Sequence, residues 1–132
     1  MIEDSFIVLF TFSSAFFVLK FLELTAAIWV DAQQYCSSLG SRLMEVRTQE
    51  DYDRAQQIRS EKGGNIWLGG SDIADEGVWI WNSNGEGINM DQFWMINQPD
   101  NFTVSEDCIE ITGVGFNDSR CAKIVSFVCE TN

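Results

Sequence analysis

Apolar positions along the chain change rhythm twice, which divides it into three stretches. The first is a run from Phe6 to Leu19, almost wholly apolar and broken only by Thr11, Ser13 and Ser14. Its 14 residues are few for a bilayer span. They fit the apolar core of a signal peptide, with Ser13 and Ala15 as the small residues before a cleavage point, although the flank Met1-Ile2-Glu3-Asp4-Ser5 is acidic. Residues 1–15 are therefore read as a signal peptide or as an extension of the first strand, with one domain over 16–132. Phe16-Phe17-Val18-Leu19 reads equally well as a strand. In the second stretch the period becomes helical. Thr25 is expected to cap a helix to Leu39, stopped by Gly40. Ile28, Ala32, Tyr35, Cys36 and Leu39 share a face, which turns Cys36 into the core. Ser41 to Val46 is an extended link. Thr48 caps a second helix to Lys62, striped by Tyr52, Ala55 and Ile58 and ended by Gly63-Gly64.

The third stretch alternates short apolar runs with polar loops. Asn65 to Gly69 is a strand, and Val78-Trp79-Ile80-Trp81 is another, apolar enough to be covered on both faces. Cys108 to Ile111 and Ile124 to Cys129 are closing strands. Between Trp81 and Cys108 lie 26 residues with little period, rich in Asn, Gly and Asp, and holding the only Pro. So long an irregular loop in a small domain is usually functional. The order of elements predicts an α+β domain.

Composition narrows the chemistry. The net charge is −12, from 20 acidic and 8 basic residues, which disfavours nucleic acid and anionic membrane and suits cations. There is no His, which excludes His-based acid–base catalysis, His-activated nucleophiles and His-containing zinc sites. Four Cys without a C-x-x-C spacing imply two disulfides and an oxidising compartment; spacing alone leaves three pairings open. Oxygen-bearing side chains crowd the irregular loop and the segment after Cys108: Gln98, Asp100, Asn101, Glu106, Asp107, Asn117 and Asp118. Ca²⁺ takes six to eight such oxygens, and irregular backbone can wrap an ion as a helix cannot.

An ordered set of motifs resembles the C-type lectin-like domain family. Ile28-Trp29-Val30-Asp31-Ala32-Gln33-Gln34-Tyr35-Cys36 resembles its first helix and first Cys, and Trp67-Leu68-Gly69-Gly70 its Trp-Ile-Gly-Leu core strand. Phe93-Trp94, Gln98-Pro99-Asp100, Glu106-Asp107-Cys108, Phe116-Asn117-Asp118 and Phe127-Val128-Cys129-Glu130 come next in order. The resemblance covers residues 16 to 130 and implies the short form of the fold. Two helices would flank small antiparallel sheets, with a long Ca²⁺-binding loop and disulfides Cys36–Cys129 and Cys108–Cys121.

The resemblance also implies a ligand set. Gln98, Asp100, Glu106, Asn117 and Asp118 would hold the principal ion, with Pro99 cis between the first two. A second ion would take Asp72, Glu76, Asn101, Glu106 and Asp107. Sugar hydroxyls would complete the principal ion's shell, hydrogen-bonded by Gln98, Asp100, Glu106 and Asn117. The order Gln-Pro-Asp goes in the family with galactose and N-acetylgalactosamine. Phe102 stands where galactose-type members place a Trp against the sugar's apolar face. Sequons at Asn101 and Asn117 overlap these sites; a glycan on Asn101 would crowd the sugar, and Asn117 as a ligand would carry none.

The expectation is a secreted, Ca²⁺-dependent galactose-type lectin: a binding module and not an enzyme, without a stable membrane span, gaining avidity through homo-oligomers. Its alternative is a protein-interaction domain of the same fold that binds Ca²⁺ without sugar. The adjacent carboxylates Glu106 and Asp107 do not make a glycosidase pair, because neighbours on an extended segment point to opposite faces.

Overall fold

The computed structural model describes residues 6–10, 18–100 and 105–131, with side chains from residue 26 onward. Among these residues ten elements succeed one another in chain order. Strands β1 (Phe6–Phe10) and β2 (Val18–Ala27) precede helix α1 (Trp29–Ser38), and β3 (Ser41–Leu43) precedes α2 (Gln49–Lys62). Then come β4 (Ile66–Ser71), β5 (Ile80–Trp81), β6 (Cys108–Thr112), β7 (Gly115–Ser119) and β8 (Val125–Thr131). The strands form one mixed sheet in the order β1-β2-β8-β4-β6-β7, with β3 also on β8 and β5 on β4. Its parallel pairing, β4 with β8, puts two long-range strands at the centre of the domain; the others run antiparallel.

Helix α2 forms where its end signals place it. The Thr48 hydroxyl accepts the Asp51 N–H at 3.0 Å while the Asp51 carboxylate accepts the Thr48 N–H at 3.2 Å. These reciprocal bonds satisfy two amides that the first turn would leave unpaired. Gly63 ends the helix at φ 83°, a left-handed conformation that favours glycine. Helix α1 starts later than its sequence signals imply. Thr25 belongs to β2, and Ile28 stands at the N-cap without a side-chain bond. Pairing of Ala26 and Ala27 with Ser126 and Val125 extends the β2 ladder past the point where a Thr25 cap would have started a helix. The buried face is accordingly Trp29, Ala32 and Cys36, and Tyr35 and Leu39 stay exposed.

Strand β4 separates two cores. Ile66 and Leu68 face one, with Met44, Ala55, Ile58, Trp79, Trp81, Ile109, Ile111 and Phe116; Trp67 faces the other, with Trp29, Cys36, Leu43 and Phe127. The two-residue period of a strand divides the side chains this way. Two indole N–H groups are satisfied by backbone, Trp29 donating to the Leu68 carbonyl at 2.9 Å and Trp67 to that of Ala27 at 2.8 Å. Of the run Val78–Trp81 only Ile80–Trp81 is strand; Val78 is half exposed, while Trp79 and Trp81 are buried. Both disulfides pair as the family resemblance implies, Cys36 with Cys129 and Cys108 with Cys121. No helix among the described residues is long and apolar enough to cross a membrane. The cleavage positions Ser13 and Ala15 lie outside the described residues.

Candidate functional site

The irregular loop is anchored to β7 before it reaches its polar residues. The Phe116 N–H donates to the Phe93 carbonyl at 2.7 Å and the Met95 N–H to the Phe116 carbonyl at 3.0 Å. Trp94 packs edge-on against Phe116 and Trp79, at 5.7 and 5.4 Å between ring centres. Gly115 permits this approach: a Cβ there would lie 2.6 Å from the Phe93 carbonyl oxygen. From this anchor the loop reaches Gln98, whose peptide bond to Pro99 is cis. The Asp100 N–H donates to Gln98 Oε1 at 3.1 Å, and Gln98 Nε2 donates to Asp100 Oδ2 at 3.2 Å. The same Asp100 N–H lies 3.3 Å from Asp118 Oδ1, which joins the loop to β7.

Strand β7 is not predicted by the pattern of the sequence. Asn, Asp and Gly are poor strand formers, so Gly115-Phe-Asn-Asp-Ser looks like loop; pairing along all of β6 makes it strand. That register sets Asn117 opposite Glu110 and Asp118 opposite Ile109. Gln98, Asp100, Glu106, Asn117 and Asp118 thereby line a single open groove of about 410 Å³, together with Ser119, Arg120 and Lys123. Oxygens of Asp100, Glu106 and Asp118 lie within 4.8 Å of one another. Asp118 is buried, Gln98, Glu106 and Asn117 are half-buried, and Asp100 is exposed.

Behind Asn117 lies Glu110, which by sequence alone is an ordinary strand residue. It is 2% exposed. Its carboxylate accepts the Ser119 hydroxyl at 2.6 Å, Asn117 Nδ2 at 3.2 Å and Lys123 Nζ at 3.1–3.2 Å. Burial alone would raise its pKa; these donors and the Lys123 charge outweigh burial and hold it below the usual carboxylate value. An ionised Glu110 takes the Asn117 amide nitrogen, which leaves the amide oxygen as the end free to meet a cation. The signal for it in the sequence is a lone charged residue inside the apolar strand Cys108-Ile-Glu-Ile.

A second acidic group forms beside the first. Asp72, Glu76 and Asp107 each bring a carboxylate oxygen within 4.8 Å of the others. Of the adjacent Glu106 and Asp107, it is Asp107 that brings an oxygen within this distance of Asp72 and Glu76. Asp72 is 1% exposed; its Oδ2 accepts the Gly77 N–H at 2.7 Å. Asp72 Oδ1 and Asp107 Oδ1 are buried with no hydrogen-bond partner among the described residues. Burial, with Asp107 and Glu76 adding their charges, pushes the Asp72 carboxyl up to about 7. Buried oxygens without donors are what a hard cation relieves, and both donor sets are all-oxygen. Asn101 and Phe102, and with them the sequon and the aromatic beside the sugar, lie outside the described residues.

The sequence profile of the Lectin C-type domain family matches residues 25–131. CD209 antigen-like protein D of Mus musculus is 31% identical over 103 residues, 77% of this chain and 43% of that protein. The chain spans less than half the length of such curated relatives. Among solved structures, the mouse scavenger receptor C-type lectin carbohydrate-recognition domain superposes with TM-score 0.76 at 27% identity, covering 93% of each chain. The Kupffer cell C-type lectin receptor Clec4f, described as trimeric, gives TM-score 0.77 at 29% identity, covering 93% of this chain and 82% of that one.

Proposed function

Because the chain belongs to the C-type lectin domain family, we propose that it is a Ca²⁺-dependent lectin for galactose- or N-acetylgalactosamine-type glycans. The observation that carries this reading is the groove that collects Gln98, Asp100, Glu106, Asn117 and Asp118. Three carboxylates and two amides offer the hard oxygens that Ca²⁺ takes, and leave the ion with one residual negative charge around it. An ion held by these side chains would supply a Lewis-acidic contact for sugar hydroxyls. The protein orients those hydroxyls: carboxylates only accept, and amide nitrogens donate. Gln98 before Pro99 and Asp100 after it put the amide and the acid on the sides that the family associates with galactose.

Asp72, Glu76 and Asp107, with Asn101 and Glu106, form the second ion site in this reading, and Phe102 the apolar platform. The domain over 16–132 acts outside the cell as a binding module, with residues 1–15 removed on secretion or retained as a strand extension; N-terminal sequencing of secreted protein decides between these. Weak single sites are compensated by a homo-oligomer. The test is retention on galactose-agarose in millimolar Ca²⁺ with release by chelator. Absence of retention, together with a Ca²⁺-dependent rise in melting temperature, would instead favour the protein-interaction reading.

A further inference from the structure

Two of the chain's eight cations stand in the same groove as the proposed ion ligands. With a net charge of −12 the protein as a whole repels acidic glycans, so this placement is a local exception. The cations sit on a short turn after β7, closed by a bond from the Lys123 N–H to the Arg120 carbonyl at 3.0 Å. The turn is pinned at Cys121 twice, by the disulfide to Cys108 on β6 and by the Trp29 N–H, which donates to the Cys121 carbonyl at 3.0 Å. Lys123 is held in place by both Glu110 oxygens, yet its side chain remains 46% exposed. Arg120 is exposed and forms no ion pair among the described residues, whereas Arg42, Arg47 and Arg54 are each committed to a carboxylate.

We propose that the groove takes a galactose-type sugar bearing an anionic substituent, a sulfate ester or a carboxylate, with Arg120 as its principal contact and Lys123 beside it. The inference rests on the Ca²⁺–sugar reading above. A guanidinium offers a planar pair of donors that matches two oxygens of either group, and the flanking ammonium adds a point charge. Glu110 already compensates Lys123, so the uncommitted positive charge in the groove is that of Arg120. The rigid turn fixes its backbone beforehand, which lowers the ordering cost of binding.

The test is calorimetric titration of the full chain in millimolar Ca²⁺ with galactose, 6-sulfated galactose and a sialylated galactose, repeated with chelator. An anionic sugar binds roughly three- to tenfold more tightly than galactose, and the preference shrinks as salt rises. The arm that gains, sulfate or carboxylate, identifies the substituent. Arg120→Gln abolishes the preference and leaves galactose affinity unchanged; Arg120→Lys restores part of it. Equal affinity for neutral and anionic sugars, or a preference that survives Arg120→Gln, overturns the proposal while leaving the galactose reading intact. If no sugar binds in a Ca²⁺-dependent way, the galactose reading fails and takes the proposal with it.

Discussion

Two buried carboxylates near the groove play opposite parts. Asp72 lies among acids, one of its oxygens without a donor among the described residues, and its pKa is pushed up to about 7 by burial first and by Asp107 and Glu76 after it. An unfolded Asp72 loses its proton near 3.8, so between that value and about 7 the ion-free fold binds the proton more tightly and loses stability as pH rises. Ca²⁺ held there, as proposed, would reverse this by supplying the missing charge. Below pH 7 an ion entering between Asp72, Glu76 and Asp107 must displace a proton, and affinity there falls by about tenfold per pH unit. Calorimetry at pH 6 in buffers of different ionisation enthalpy reads the release; an enthalpy independent of buffer contradicts it. Glu110 has the reverse sign, since its pKa is held down and it stays ionised below the ordinary carboxylate range. Glu110→Gln exchanges the acceptor facing Asn117 Nδ2 for an amide. Ca²⁺ affinity is then expected to fall by about tenfold or more, as when a ligand's orienting partner is lost; equal affinity in a Ca²⁺ titration of the two proteins would remove Glu110 from the site. The sequence shows the five proposed ligands plainly and shows Glu110 only as a charge in an apolar strand. What makes it important is its cross-strand partner, and sequence spacing does not reveal partners.

At the scale of elements, legibility tracks the locality of the signal. Helix α2 is readable to its ends because each end is closed by bonds between residues no more than four positions apart. The start of helix α1 is not readable because it depends on pairing with the distant strand β8, and β7 is not readable because its hairpin pairing with β6 overrides the poor strand propensity of its Gly, Asn and Asp. Strand β7 carries two proposed ligands, and its position depends on the close approach of the loop at Gly115. That residue has φ 134°, and a Cβ there would also lie 2.9 Å from the Met95 nitrogen. Gly115→Ala is therefore expected to destabilise the domain by about 2 kcal/mol or more. It should also weaken Ca²⁺ binding, because Asn117 and Asp118 move with the strand; thermal unfolding with and without Ca²⁺ checks both effects.

For the whole molecule, the α+β class is evident from the order of the elements, and the pairing of the cysteines from the family resemblance alone. The parallel contact of β4 with β8 is not legible, since it joins segments 60 positions apart at Ile66 and Ser126 without a local mark. The disulfides divide their work by loop length. Cys36–Cys129 closes a separation of 93 residues and Cys108–Cys121 one of 13. In chain-entropy terms these are worth about 4.5 and about 3 kcal/mol. Replacing Cys108 and Cys121 by Ser should cost the smaller amount in denaturant unfolding and loosen the turn that carries Arg120 and Lys123. As proposed, the fold assembles a Ca²⁺ site that presents an acceptor–donor pattern suited to galactose. A glycan array probed with the full chain, with and without chelator, tests it most directly. Binding concentrated on galactose- and N-acetylgalactosamine-terminated glycans, and abolished by chelator, is the predicted result; binding that survives chelator, or that favours mannose-terminated glycans, contradicts it.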